Sequence, residues 1–154
     1  MARFILNGKN TALDVDPSTP LLWALRDELG CASVKYGCGA GQCCACLVVL
    51  DGVPQSSCLV TVGDADGRDV RTLEGYVESG AAAPVVDALL AVDAGQCGYC
   101  LPGIATALTA LRMRVTEVPT RADVVRVLDG HLCRCGSQVR IIDAACAALG
   151  VVDG

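Results

Sequence analysis

Aromatic side chains are scarce in this chain of 154 residues, which has one Phe, one Trp and three Tyr. With so few stacking rings and no basic stretch, nucleic-acid binding is excluded as a reading. The interior must be filled mainly by Val, Leu, Ile, Ala and Cys. Excess positive charge is also lacking: the formal net charge is −5, with six basic and ten acidic side chains in residues 1–78 against six and seven in 79–154. Long apolar runs are missing although 53% of the residues are hydrophobic. The stretches 81–90 and 141–152 are broken by Asp87 and Asp143, so neither approaches the roughly 20 apolar residues of a spanning helix. No membrane span is expected, and burial against a partner subunit explains the apolar excess better. The opening Met1–Leu6 stretch has neither the regions of a signal peptide nor a twin arginine, which points to the cytoplasm.

Cysteine, by contrast, is abundant, with eleven residues. An odd total and C-x2-C spacing are poor for disulfides and read as metal binding in a reducing compartment. Eight of them form two sets. Cys38, Cys43, Cys46 and Cys58 have the C-x4-C-x2-C spacing with a distant fourth member that holds a plant-type [2Fe–2S] cluster. Cys97, Cys100, Cys133 and Cys135 form a C-x2-C pair and a C-x-C pair, four further thiolates for a second centre. Zinc is the rival for this second set, because two such pairs also suit a tetrahedral site. Cys31, Cys44 and Cys146 fall outside both sets and read as small core residues.

Local signals divide the chain into two domains, 1–78 and 79–154. In the first, residues 3–6 and 11–15 alternate as strands around Asn7-Gly8, a tight-turn pair. A helix follows, capped by Ser18 or Thr19, with Pro20 near its start, a stripe of Leu21, Leu22, Leu25 and Leu29, and Gly30 as its stop. The glycine-rich segment 33–46 reads as a loop able to aim backbone amides at sulfur. A second hairpin spans 47–50 and 53–58 around Asp51-Gly52, and 69–73 adds a last strand. In the second domain, Gly80–Pro84 reads as a linker. Apolar stripes then predict four helices: Val86, Leu89 and Leu90; Ile104, Ala107, Leu108 and Leu111; Val124, Val127 and Leu128 behind a Thr120/Asp123 capping box; and Ile141, Ile142, Ala145, Cys146 and Leu149. The fold class is therefore α+β, a β-grasp, ferredoxin-like domain followed by a four-helix bundle. Both cysteine pairs of the second set precede helices, whose positive ends favour thiolates.

The strings Lys35-Tyr-Gly-Cys-Gly-Ala-Gly-Gln-Cys43, Gln96-Cys-Gly-Tyr-Cys-Leu-Pro-Gly103 and Leu132-Cys-Arg-Cys-Gly136, in this order, resemble the small iron–sulfur subunit of the xanthine oxidase family of molybdenum hydroxylases. The likeness runs over about residues 3–149. It implies two [2Fe–2S] clusters, with the helical-domain cluster nearer a molybdopterin cofactor, in its cytosine dinucleotide form, held by a large partner subunit. Gln96 matches the residue that contacts the pterin, and Cys135 matches the cysteine closest to it. Thr19-Pro-Leu-Leu-Trp23, Leu25-Arg-Asp27 and Thr72-Leu-Glu-Gly75 resemble the branch that includes nicotinate and isoquinoline dehydrogenases. The chain departs from the pattern at Cys44, where Gly is usual, at Leu101, where a small or polar residue is usual, and at His131, where Asn is usual.

The expected function is that of an electron-transfer subunit. It would pass electrons from molybdenum through the Cys97 set and then the Cys38 set to a flavin (FAD) subunit or a cytochrome. The chain itself offers no catalytic residue, and the expected substrates are N-heteroaromatics or aldehydes hydroxylated in another chain. A free-standing two-cluster ferredoxin that docks transiently is the alternative, favoured by the acidic first half. A zinc-stabilised structural subunit is a third.

Overall fold

The computed structural model describes residues 1–151; the last three residues of the 79–154 stretch, and with them the end of the 141–152 apolar run, lie outside the described residues. Strand β1 (Ala2–Leu6) pairs antiparallel with β2 (Lys9–Leu13). Asn7 and Gly8 both have positive φ, 51° and 81°, as the two-residue turn requires. That turn fixes the register, so β2 starts and ends two residues before the 11–15 expectation. Strands β3 (Leu47–Leu50) and β4 (Val53–Ser56) form the second hairpin, and β5 (Asp69–Arg71) completes a sheet of order β2-β1-β5-β3-β4. Among the described residues only the β1–β5 pairing is parallel. This mixed five-stranded sheet crossed by one helix is the expected grasp.

The crossing helix differs from expectation in two respects. Helix α1 runs α-helically over Leu21–Trp23 and then widens into π-turns over Ala24–Glu28. Its N-cap is Pro20, with no side-chain cap. Ser18 instead donates to the Asp16 carboxylate in a local turn, so neither predicted hydroxyl serves as the cap. Leu21, Leu22 and Leu25 are fully buried and pack with Phe4, Val48, Leu50 and Val70 into the first apolar core.

Helix α2 (Leu73–Glu78) begins before the predicted linker, and α3 (Ala83–Ala91) begins inside it, with Pro84 in its first turn. Helices α4 (Leu101–Arg114), α5 (Arg121–Leu128) and α6 (Gln138–Leu149) follow. The Thr120/Asp123 capping box is formed in full. Ile104, Leu108, Val124, Ile141 and Ala145 fill a second core, in which Cys146 is also buried. On α3 Val85 and Leu89 are buried and Val86 is partly buried against the same core, whereas Leu90 is 65% exposed; of the predicted stripe Leu90 alone faces outward, and Val85 takes its place in the core. A third, smaller core joins the halves: Val49 of the sheet packs with Tyr76, Ala82 and Ala110.

Candidate iron–sulfur site

The loop 31–46 has no regular structure and brings three cysteines of the first set together. Cys38 is exposed, while Cys43 and Cys46 are buried. The loop turns its amides on sulfur: Ala40 and Gln42 donate to Cys38 Sγ at 3.3 and 3.2 Å, and the Cys38 amide donates to Cys43 Sγ at 3.3 Å. The Ala40 and Gln42 donors lower the Cys38 thiol to about 7, the response expected when hydrogen bonds favour the charged form. Gly37 is required for this wrapping, since a Cβ there would stand 2.6 Å from Cys43 Sγ. Cys58, two residues beyond β4, reaches the same loop. Its sulfur meets Cys46 and the Gly41 amide, and burial raises it to about 11.

In the second set, Cys100 is the N-cap residue of α4, and Cys133 and Cys135 lie in the turn before α6. Cys97 is lowered by the Tyr99 amide and by the Cys135 thiol. Cys100 is pushed up to about 12, by burial first and then by its contact with Cys133. Cys133 is itself lowered: burial acts against this, but amides of Ser137 and Cys135 and the Cys100 thiol outweigh it. Within each set the thiols interact most directly as Cys38 with Cys43, Cys46 with Cys58, Cys97 with Cys135 and Cys100 with Cys133, and their charges also act across these pairs, Cys38 on Cys58, Cys133 on Cys97 and Cys97 on Cys100. Among the described residues, no three His, Cys, Asp or Glu side chains converge as a single-ion site. Pairs of thiolates with amides aimed at sulfur fit a bridged two-iron centre, which takes two thiolates at each iron, and these eight residues could hold two of them.

Gln96 is exposed, and its side-chain amide donates to the Cys135 carbonyl at 3.4 Å. The two residues singled out for a pterin contact are therefore neighbours on the surface. Leu101 packs across Gly95, beside Gln96. Cys44 has the positive φ, 55°, expected of a glycine position. Its thiol lies against Gly130 and is raised, by burial first and then by Cys43, Cys46 and Cys38. His131 lies in the loop before α6 and is buried, only 8% exposed, with its ring set toward the Gly103 and Val127 backbone. Burial lowers its basicity.

Two contacts between the sets were not foreseeable. The Leu132 amide donates to the Cys43 carbonyl at 3.2 Å, and the Tyr99 hydroxyl donates to the Tyr36 carbonyl at 2.5 Å. Gly103 of α4 presses on the Cys44 carbonyl so closely that a Cβ would lie 2.4 Å from it.

Residues 4–78 match the 2Fe-2S iron-sulfur cluster binding domain, and residues 72–146 match the [2Fe-2S] binding domain. One of the nicotinate dehydrogenase subunits of Pseudomonas putida is 41% identical over 139 residues, which cover 90% of this chain and 88% of that one. The alpha chain of isoquinoline 1-oxidoreductase from Brevundimonas diminuta is 38% identical, with 92% of each chain covered. The chain belongs to the small iron–sulfur subunits of the xanthine oxidase family of molybdenum hydroxylases. Among solved structures, quinoline 2-oxidoreductase from Pseudomonas putida matches with a TM-score of 0.83 and 33% identity over 97% of this chain and 93% of that one. The aldehyde oxidoreductase of Desulfovibrio desulfuricans matches with a TM-score of 0.87 and 36% identity, and this chain spans 17% of it. In this family the small subunit transfers electrons and catalysis is carried out in other subunits. No helix among the described residues is long and apolar enough to cross a membrane.

Proposed function

We propose that this chain binds two [2Fe–2S] clusters and relays electrons to a flavin- or cytochrome-bearing acceptor from a molybdenum–pterin centre in a large partner subunit. Cys38 and Cys43 would hold one iron of the first cluster, and Cys46 and Cys58 the other. Cys97 with Cys135, and Cys100 with Cys133, would do the same for the second. The clusters supply one-electron carriers; the protein supplies thiolates, amide donors to sulfur and burial, which together set potential. The observation that carries this reading is the meeting of the eight thiols in pairs, each set supplied with backbone amides. A tetrahedral zinc site draws four donors to one point, and the backbone amides aimed at sulfur favour the two-iron centre.

Direction follows from Gln96. Its side chain is exposed and held on the Cys135 carbonyl, leaving its own carbonyl oxygen available to a pterin amine on a partner surface. Electrons would enter at the Cys97/Cys100/Cys133/Cys135 set and leave through the Cys38/Cys43/Cys46/Cys58 set. The Leu132 amide on the Cys43 carbonyl gives the sets a direct hydrogen-bonded link, since Leu132 adjoins Cys133. The same reading divides the chain into units over 1–78 and 79–154, each with its own cysteine set and apolar core, with a large molybdopterin subunit (cytosine dinucleotide form) covering the Gln96 face. The substrate would be an N-heteroaromatic compound or an aldehyde, and the location the cytoplasm.

The test is anaerobic purification of the native complex followed by iron, sulfide and EPR analysis. About four irons and four sulfides per small subunit, with two distinguishable reducible signals, are expected for two such clusters. A fully loaded sample with a single reducible signal, or about two irons or fewer per chain, overturns it.

A further inference from the structure

Tyr99 lies inside the Cys97-Gly-Tyr-Cys100 turn, yet its hydroxyl does not serve that turn. It donates to the carbonyl of Tyr36, two residues before Cys38. Tyr36 is itself anchored: its ring stacks on Trp23, with centroids 5.1 Å apart and planes 28° from parallel, and the ring also closes over Gly39. Lys35, the preceding residue, stands 6.0 Å above the Tyr99 ring and is fixed by its amide to the Ala45 carbonyl. Trp23 stacked on Tyr36, and the Tyr36 carbonyl bonded by the Tyr99 hydroxyl, thus link α1 across the first cysteine loop to the second.

Between the two loops lies a cleft of about 330 Å³, lined by Cys38 and Cys43 on one side and by Cys97, Cys100 and Cys133 on the other. Among the described residues, two hydrogen bonds span it. One is Leu132 N–H to the Cys43 carbonyl; the other is Tyr99 O–H to the Tyr36 carbonyl. These two polar ties act beside the packing of Gly103 on the Cys44 carbonyl: packing limits how closely the loops approach, and the hydrogen bonds fix the angle between them. We infer that the Tyr99 hydroxyl is a positioning group for electron transfer, holding the turn of Cys97 and Cys100 at a set distance from the loop of Cys38 and Cys43. The inference rests on the two-cluster reading above. The ring of Tyr99 alone does not meet the need, because the tie is made by the hydroxyl, and the acceptor is backbone, so the Tyr36 hydroxyl plays no part.

The test compares Tyr99→Phe and Tyr36→Phe with wild type in the assembled complex. Iron and sulfide are counted first. The dipolar coupling between the two reduced clusters is then measured by pulsed EPR, together with the rate at which one electron equilibrates between them. Tyr99→Phe is expected to keep full iron, to show a smaller coupling or a broader distribution of couplings, and to equilibrate more slowly. Tyr36→Phe is expected to match wild type, and para-aminophenylalanine at position 99, which restores a donor, to bring coupling and rate back. A fully loaded Tyr99→Phe complex with unchanged coupling and rate overturns the inference. So does loss of iron in Tyr99→Phe confined to the Cys97 set, which assigns Tyr99 a merely structural role. Too little iron in wild type overturns the two-cluster reading instead.

Discussion

Cys44 occupies a left-handed backbone conformation that a side chain with a Cβ adopts at a cost of about 1 kcal/mol. The position is held there from both sides. Gly103 of α4 abuts its carbonyl, and Gly130 abuts its sulfur. Replacing Cys44 by glycine removes the backbone strain and sacrifices the contacts of a half-buried sulfur, that with Gly130 among them. The Cys44→Gly variant is therefore expected to be as stable as wild type or more so, by up to about 1 kcal/mol, and to retain its full iron. Denaturant unfolding with iron analysis checks both parts; a loss of iron would make Cys44 a ligand and break the register Cys38, Cys43, Cys46. Gly103→Ala acts in the opposite sense. Its Cβ would meet a backbone oxygen rather than a flexible side chain, so the two cysteine-bearing segments must separate, at about 1–3 kcal/mol, measurable in the same unfolding experiment.

Among elements, those whose signals are local were legible from residues alone. Asn7-Gly8 and Asp51-Gly52 specified hairpins because their positive φ values need no distant partner. The Thr120/Asp123 box marked α5 because both halves of the cap lie within one turn. What escaped was set by tertiary contact. The stretch 69–73 reads as strand, yet β5 ends at Arg71 and α2 begins at Leu73 because Tyr76 is buried against Val49 and Ala110. The π-widening of α1 likewise has no local signature. At the site, spacing sorted the eight cysteines into two sets, but which thiol meets which depends on how the loop turns, and the Tyr99 and Leu132 ties join residues too distant in sequence for any motif to pair. Helix α2 also supplies a pH-dependent element. Glu74 accepts hydrogen bonds from the Ser33 amide and hydroxyl and from the Thr72 hydroxyl. Burial acts to raise this carboxyl, but the Ser33 and Thr72 donors outweigh it and hold it below its ordinary 4.5. A carboxylate with a lowered folded-state value contributes stability that is present above 4.5 and is lost as pH falls through the folded value. Glu74→Gln is accordingly expected to cost about 1–2 kcal/mol at pH 7, and its deficit against wild type to shrink as unfolding is followed below about pH 4.5. A deficit independent of pH would show that shape rather than charge holds α2 to the first cysteine loop.

For the whole molecule, the two cores stabilise the two halves while polar and backbone contacts set how the cysteine sets face each other. This separates cluster retention from electron entry, and Gln96 is where the two come apart. Its side chain touches the protein only through the Cys135 carbonyl among the hydrogen bonds of the described residues, and it is exposed, so its removal leaves the thiol pairs and both cores in place. If electrons enter beside Cys135, Gln96→Ala in the assembled complex retains wild-type iron and is bleached by dithionite as fast as wild type. Substrate-driven bleaching of the clusters, followed by stopped flow, is expected to slow by on the order of tenfold, within the range that displacement by about an ångström produces. Equal slowing with both reductants would place the fault within the small subunit. Unchanged bleaching by substrate would mean that electrons enter elsewhere, and the order from the Cys97 set to the Cys38 set would lose its support.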